Sequence, residues 1–165
     1  MYMTSLSAEL ATETSPVHIR TASGLALKNA LAAREARRAQ DYAERWVSLP
    51  AEARDQVKSK VLMTLCSSEH RAGTVAAQVT AAVAAIELPR GMWPDLVSQL
   101  LAAIGDLTNP YQRQAALQAI GFTCEVVDPA VLATQSNEIL TAVIQGARKE
   151  ETSPEVQLAA LQALL

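Results

Sequence analysis

A chain of 165 residues is long enough to bury one ordinary core. Half of its residues are hydrophobic, yet only 4% are aromatic and 31 are alanine, which argues against a β-sandwich or barrel and for closely packed helices. A charged fraction of 19% and a net charge of −3 exclude an acidic disordered chain and give no support for a nucleic-acid binder.

Prolines divide the chain. A proline fits the first turn of a helix, where its missing N–H is not needed, and a preceding Ser or Asn can cap. Ser15-Pro16, Asn109-Pro110 and Ser153-Pro154 show this pairing. Pro50 and Pro94 also read as first-turn prolines, and Pro89 and Pro129 as linker prolines. The pattern predicts helices at 2–13, 16–32, 35–47, 50–66, 70–87, 92–105, 110–126, 136–149 and from 154 onward, with a short helical turn near 129–133.

These helices repeat. Ala115-Ala116-Leu117-Gln118-Ala119 recurs as Ala159-Ala160-Leu161-Gln162-Ala163, 44 residues later. Asp95-Leu96-Val97-Ser98-Gln99-Leu100-Leu101 aligns with Glu138-Ile139-Leu140-Thr141-Ala142-Val143-Ile144 at an offset of 43. A helix pair recurring every 40–47 residues or so marks a HEAT-type solenoid. The expected fold is therefore all-α, a right-handed α-solenoid of stacked antiparallel helix pairs. Its repeats fall at about 1–32, 50–87, 92–126 and 136–165, with an additional helix at 35–47. Gly24, Gly73, Gly121 and Gly146 lie inside helical patterns, where close approach of a neighbouring helix is the expected compensation. Neither end carries a polar cap, so the expectation is part of a longer array.

Nothing in the pattern suggests chemistry. His18 is read as solvated, on a polar face with Thr21 and Lys28. Cys66 and Cys124 are read as buried free thiols, 58 residues apart. Glu52, Glu69, Glu87 and Glu125 are spread over different helices and form no carboxylate pair. Arg34, Arg37 and Arg38, beside Glu35, read as a solvated helix face. No phosphate loop, nucleophile elbow or metal-spaced cluster is present, so no catalytic, cofactor or metal residue is assigned and an enzyme is not expected. No segment reads as a secretory signal or a membrane span, which makes a soluble intracellular protein the expectation. On the helix at 136–149, Ile139, Val143 and Ala147 form an inward stripe. Leu140 and Ile144, with Thr141 at the edge, either cover a following repeat or line a groove.

Several stretches resemble the importin-β (karyopherin-β) nuclear transport receptors: Ala26-Leu27-Lys28-Asn29, Gln40 through Trp46, Ile86-Glu87-Leu88-Pro89, Trp93-Pro94-Asp95-Leu96, Ala119 through Cys124 and Ser136 through Gly146. The resemblance implies a stretch of the N-terminal arch of a long HEAT superhelix, from inside the second repeat into the fifth. It implies binding of Ran-GTP through inner helices and of phenylalanine-glycine (FG) nucleoporin repeats between outer helices. Importin-α or cargo would bind elsewhere on the full receptor, and no nucleic acid or membrane is implied. Leu140, Thr141 and Ile144 match nucleoporin-pocket positions, whose facing helix would follow Leu165, and Lys28 matches a Ran-facing lysine. The implied locations are cytoplasm, nucleus and nuclear pore or envelope. The alternative is a HEAT scaffold of a non-transport complex.

Overall fold

The structure is a computed structural model that describes residues 1–165. Ten α-helices follow one another: α1 (Tyr2–Ala11), α2 (Val17–Leu31), α3 (Ala36–Val47), α4 (Ala51–Thr64), α5 (His70–Glu87), α6 (Leu96–Gly105), α7 (Pro110–Val126), the single turn α8 (Pro129–Leu132), α9 (Ser136–Ala147) and α10 (Pro154–Ala163). Asn109 and Ser153 cap as their sequence predicts, accepting from the backbone N–H groups of Gln112 and Val156. Ser15 does not: Pro16 itself is the residue flanking α2, as Pro50 is for α4, and neither helix has a side-chain cap. The helix expected from residue 92 begins at Leu96. After α5 a short 3₁₀ turn ends at Gly91, whose φ of 65° lets its N–H reach Leu88 O while Met92 N–H reaches Glu87 O. This double closure terminates the preceding helix and delays the next.

Packing sorts the helices into two layers. Helices α1 and α4, and again α6 and α9, pack side by side in the first layer, while α2, α5, α7 and α10 neighbour one another in sequence order in the second; each member of one layer also packs on its partner in the other. Helix α3 leans on α2. The layers share one core of 35 buried residues. Helix α5 is its centre, with Ala72, Ala76, Ala77, Ala81, Ala82 and Ala84 all buried between α2 and α7. Extended to Arg90, this helix is 21 residues, and its most apolar 18-residue window has a mean hydropathy of 1.3, long and apolar enough to cross a membrane by length and composition. That corrects the expectation that no segment is. Its most apolar window is 67% buried inside the protein, because neighbouring helices supply its apolar surroundings.

Side chains staple the two layers. Arg20, 2% exposed, donates through Nε to Leu10 O at the end of α1, and its two terminal nitrogens grip Glu13 at 3.0 Å. Arg113 does the same for Ile104 O at the end of α6, with Glu151 on its fork at 2.9 and 2.6 Å. Gln157, 44 residues after Arg113, donates to Ala147 O and Arg148 O. Each satisfies carbonyls that a helix end leaves unpaired. A further cluster ties α3, α4 and α5 together. Glu87 is fully buried, and its carboxylate accepts from Trp46 Nε1 at 3.0 Å and Lys58 Nζ at 2.9 Å, with Arg54 at 3.5 Å. Lys58 also lies 5.2 Å from the centre of the Trp93 ring.

Glycine allows the closest approach at Gly24. A Cβ there would stand 2.3 Å from Val75 Cγ1 and 3.1 Å from a Leu10 methyl, whereas at Gly73 the nearest atom would be Ala115 Cβ at 3.5 Å. The two glycines should therefore respond oppositely. Gly24→Ala should destabilise by about 1–2 kcal/mol net, overpacking outweighing helix propensity. Gly73→Ala should stabilise by up to about 1 kcal/mol. Urea unfolding followed by circular dichroism checks both; a stabilised Gly24→Ala would contradict the close approach. The Arg113 hydrogen bonds hold the Glu151 carboxyl below its ordinary range. Its stabilisation is then full above the ordinary carboxylate value and is lost as pH falls through the lowered folded value. Arg113→Ala should remove that part of the acid sensitivity, measured as melting temperature against pH.

Candidate functional site

The first-layer helix α9 presents the residues singled out for peptide binding. Ile139 and Val143 are buried, and Gly146 beside them meets Leu117 and Ala160 closely enough that a Cβ would fall 3.0–3.2 Å from them. This seats α9 firmly on α7 and α10 and turns the opposite side outward. Leu140 and Ile144, one turn apart, are 50% and 43% exposed. Thr141 does not join them. Its hydroxyl donates to Asn137 O at 2.7 Å, and it lines a separate shallow cavity of about 380 Å³ between α6 and α9 with Leu101, Ala142 and Gln145. The structure thus brings Leu140 and Ile144 together and places Thr141 on the other flank.

The internal repeat shows what such positions do. Val97 and Leu101 stand 43 residues before Leu140 and Ile144; Val97 is buried and Leu101 half-buried where α9 packs against α6. Likewise Leu117 is fully buried, while Leu161, 44 residues later, is 48% exposed. Leu140 and Ile144 therefore correspond to positions that, one repeat earlier, lie where the next first-layer helix packs.

Lys28 lies on the second layer, in the last turn of α2, half-buried and engaged in none of the ion pairs. A cation there is favoured by the helix dipole. His18 is exposed at the start of the same helix, and Thr21 bonds to Val17 O. On the neighbouring helices a polar row missed from the sequence appears. His70 Nδ1 pairs with Gln114 Oε1 at 2.6 Å, and the Thr74 hydroxyl donates to Gln118 Oε1 at 3.1 Å. Both pairs join residues 44 apart, so the repeat offset would have found them. No three His, Cys, Asp or Glu side chains converge on a metal position.

Both cysteines are exposed, not buried as expected. Cys66 falls in the turn after α4, not within it, and Cys124 sits on the outward side of α7 next to buried Thr123. Partial burial still pushes both thiols up from their ordinary value, and at Cys66 the nearby Asp106 adds to this.

The family described as Importin-beta N-terminal domain matches residues 1–67. Over 163 residues the chain is 54% identical to importin subunit beta-1 of Schizosaccharomyces pombe, covering 99% of this chain and 19% of the relative. A crystal structure of importin beta in an ammonium sulfate condition superposes with a TM-score of 0.95 at 48% identity, covering 98% of this chain and 19% of that one. A Kap95:Nup1 complex gives 0.89 at 38% identity, covering 99% of this chain and 19% of that one. A structure of Kap95p, whose binding induces the switch loops of RanGDP to adopt the GTP-bound conformation, gives 0.94 at 38% identity with the same coverage. The chain thus spans about a fifth of the length of the relatives it matches.

Cys66 and Cys124 should both react with a maleimide in the folded protein, slowly at pH 7 and faster as pH rises toward the raised thiol values. Labelling that requires denaturant, read by intact mass, would contradict their exposure.

Proposed function

The chain belongs to the importin-β family, and on that premise we propose that it serves nuclear import as a protein-binding HEAT solenoid, contributing to recognition of Ran-GTP and of FG nucleoporins. The observation that carries this reading is the match of the whole chain, in sequence and in fold, to importin beta. Its role is that of a transport receptor and not of an enzyme. Its work would lie in the cytoplasm, the nucleus and the nuclear pore or envelope, with importin-α or cargo bound elsewhere on a full-length receptor. We assign α1–α2, α4–α5, α6–α7 and α9–α10 to four successive repeats, with α3 as an added helix.

The two layers divide the labour. Lys28 and the second-layer face of α2, α5 and α7 receive the GTPase. Leu140 and Ile144 on α9 form one wall of a nucleoporin groove, and Thr141, which lines the cavity between α6 and α9, stays outside it. Phenylalanine suits such a groove: full burial of one ring is worth about 1.5–3 kcal/mol, and the flanking glycine lets the peptide backbone lie close. Ran-GTP would favour one curvature of the array and cargo another, so each lowers the affinity for the other.

Two substitutions on opposite layers test the division. In a chain carrying this span and the helix pair that follows it in its relatives, Ile144→Asp should weaken FG-peptide binding by about tenfold or more, by setting an unpaired charge against the ring. It should leave Ran-GTP binding unchanged. Lys28→Glu should weaken Ran-GTP binding by about three- to tenfold and leave the peptide unaffected. Fluorescence polarisation reads both. An Ile144→Asp protein that is folded and binds as its parent does would remove α9 from the nucleoporin site, and equal binding of the GDP and GTP forms would remove the switch.

A further inference from the structure

Four helix pairs meet at three joints, and two of the joints are clamped. Between α1–α2 and α4–α5, Arg20 donates to Ser67 Oγ at 3.2 Å, and that hydroxyl donates to Glu13 at 3.2 Å. Between α6–α7 and α9–α10, Arg113 forks onto Glu151. In the first layer α1 packs on α4, and α6 on α9, across these same joints. The middle joint, between α4–α5 and α6–α7, has neither support. No ion pair crosses it, and α4 and α6 do not pack side by side. Where α7 carries Arg113, the position 44 residues earlier is Glu69, which caps its own helix. The facing turn offers Asp106, near Cys66, a charge of the same sign.

What does cross the middle joint lies in the second layer. Helix α5 packs on α7 there, and the two side-chain hydrogen bonds that span it are His70 Nδ1 with Gln114 Oε1 at 2.6 Å and Thr74 donating to Gln118 at 3.1 Å. The packed side chains are small; a Cβ on Gly73 would meet Ala115 Cβ at 3.5 Å. Low ridges slide and rotate past one another with little strain. Each side of the joint is stiff in itself. Glu87 with Lys58 and Arg54 holds α4 to α5, and Arg113 Nε on Ile104 O holds α6 to α7. On α4, the edge of the first-layer gap is covered by the linker. Met92 Sδ lies 3.9 Å from an Arg54 nitrogen, and the buried Trp93 ring, just before α6, lies 5.2 Å from Lys58 Nζ.

We propose that the array bends at this middle joint, with the α5–α7 contact as its hinge and Trp93 as the spacer that limits how far α4 and α6 close. Two stiff bodies joined along one layer have one easy motion, the opening and closing of the other layer. The face assigned to the GTPase, on α2, α5 and α7, spans the joint, so a partner held there selects one angle. That use of the hinge rests on the function proposed above; the hinge itself does not.

Spin labels read the joint directly. In the whole chain, with its native thiols removed by Cys66→Ser and Cys124→Ser, exposed positions are labelled in pairs: Ser5→Cys with Ser59→Cys for α1–α4, Ser59→Cys with Ser98→Cys for α4–α6, and Ser98→Cys with Glu138→Cys for α6–α9. Double electron–electron resonance should give a broader distance distribution for α4–α6 than for either other pair. Trp93→Phe, and Trp93→Ala where circular dichroism shows it folded, should shorten the α4–α6 mean alone, as the helices close toward the roughly 8–10 Å axis separation of packed neighbours. Equal widths for the three pairs, or an α4–α6 mean unchanged in the folded Trp93 variants, would overturn the proposal. Ran loaded with a non-hydrolysable GTP analogue should narrow the α4–α6 distribution. A distribution that is broad in the free chain and unaltered by Ran supports the hinge and counts against the GTPase assignment alone.

Discussion

Everything in this structure depends on how closely the second-layer helices can approach one another. A pair of helices is too thin to bury both of its faces, so each must find cover on its neighbours. Here the cover is built from alanine and glycine. Gly24 admits Val75, Gly146 admits Leu117, and the alanines of α5 are enclosed between α2 and α7. The spacing that results leaves little room for large side chains at the interfaces, which explains a core of 35 residues containing two tryptophans and no buried phenylalanine. It also fixes the outward faces. Once Ile139 and Val143 are committed inward, Leu140 and Ile144 have nowhere to go but out.

Where small residues set the spacing, charged ones set the angles. Arg20, Arg113 and Gln157 occupy the first turns of α2, α7 and α10 and reach back to the carbonyls that end α1, α6 and α9. The α4–α5 pair follows another plan. The equivalent position, 44 residues before Arg113, is Glu69, which caps its own helix instead. That pair is held at its opposite end by Glu87 with Lys58 and Arg54. Burying a carboxylate is tolerable only because two cations and an indole N–H surround it, and losing Glu87 would strand both cations.

The repeat was legible in the sequence because its signals are local and periodic. Pro110 and Pro154 start helices, Asn109 and Ser153 cap them, and the recurring Ala-Ala-Leu-Gln-Ala block marks equivalent faces. What escaped depends on single backbone angles or on contacts distant in sequence. The stop at Gly91 needs its positive φ, so the helix expected at 92 starts at Leu96. The helix expected to contain Cys66 ends two residues earlier, at Thr64, and those two residues make the difference between a buried thiol and an exposed one. Glu87 looked like one of several scattered acids because its partners lie 29 and 41 residues away along the chain. On α9, the helical period separated the buried stripe from Leu140 and Ile144 correctly, but which neighbouring groove Thr141 faces follows from the packing of α6 against α9.

In the proposed function two layers serve two partners, the GTPase on α2, α5 and α7 and the nucleoporin peptide on α9. Hydrogen exchange followed by mass spectrometry, on the chain alone and with Ran loaded with a non-hydrolysable GTP analogue, tests that separation without altering a residue. The account predicts slower exchange in peptides from α2 and the neighbouring α5 and α7, with α9 unchanged. Protection confined to α9, or none on α2, would contradict it.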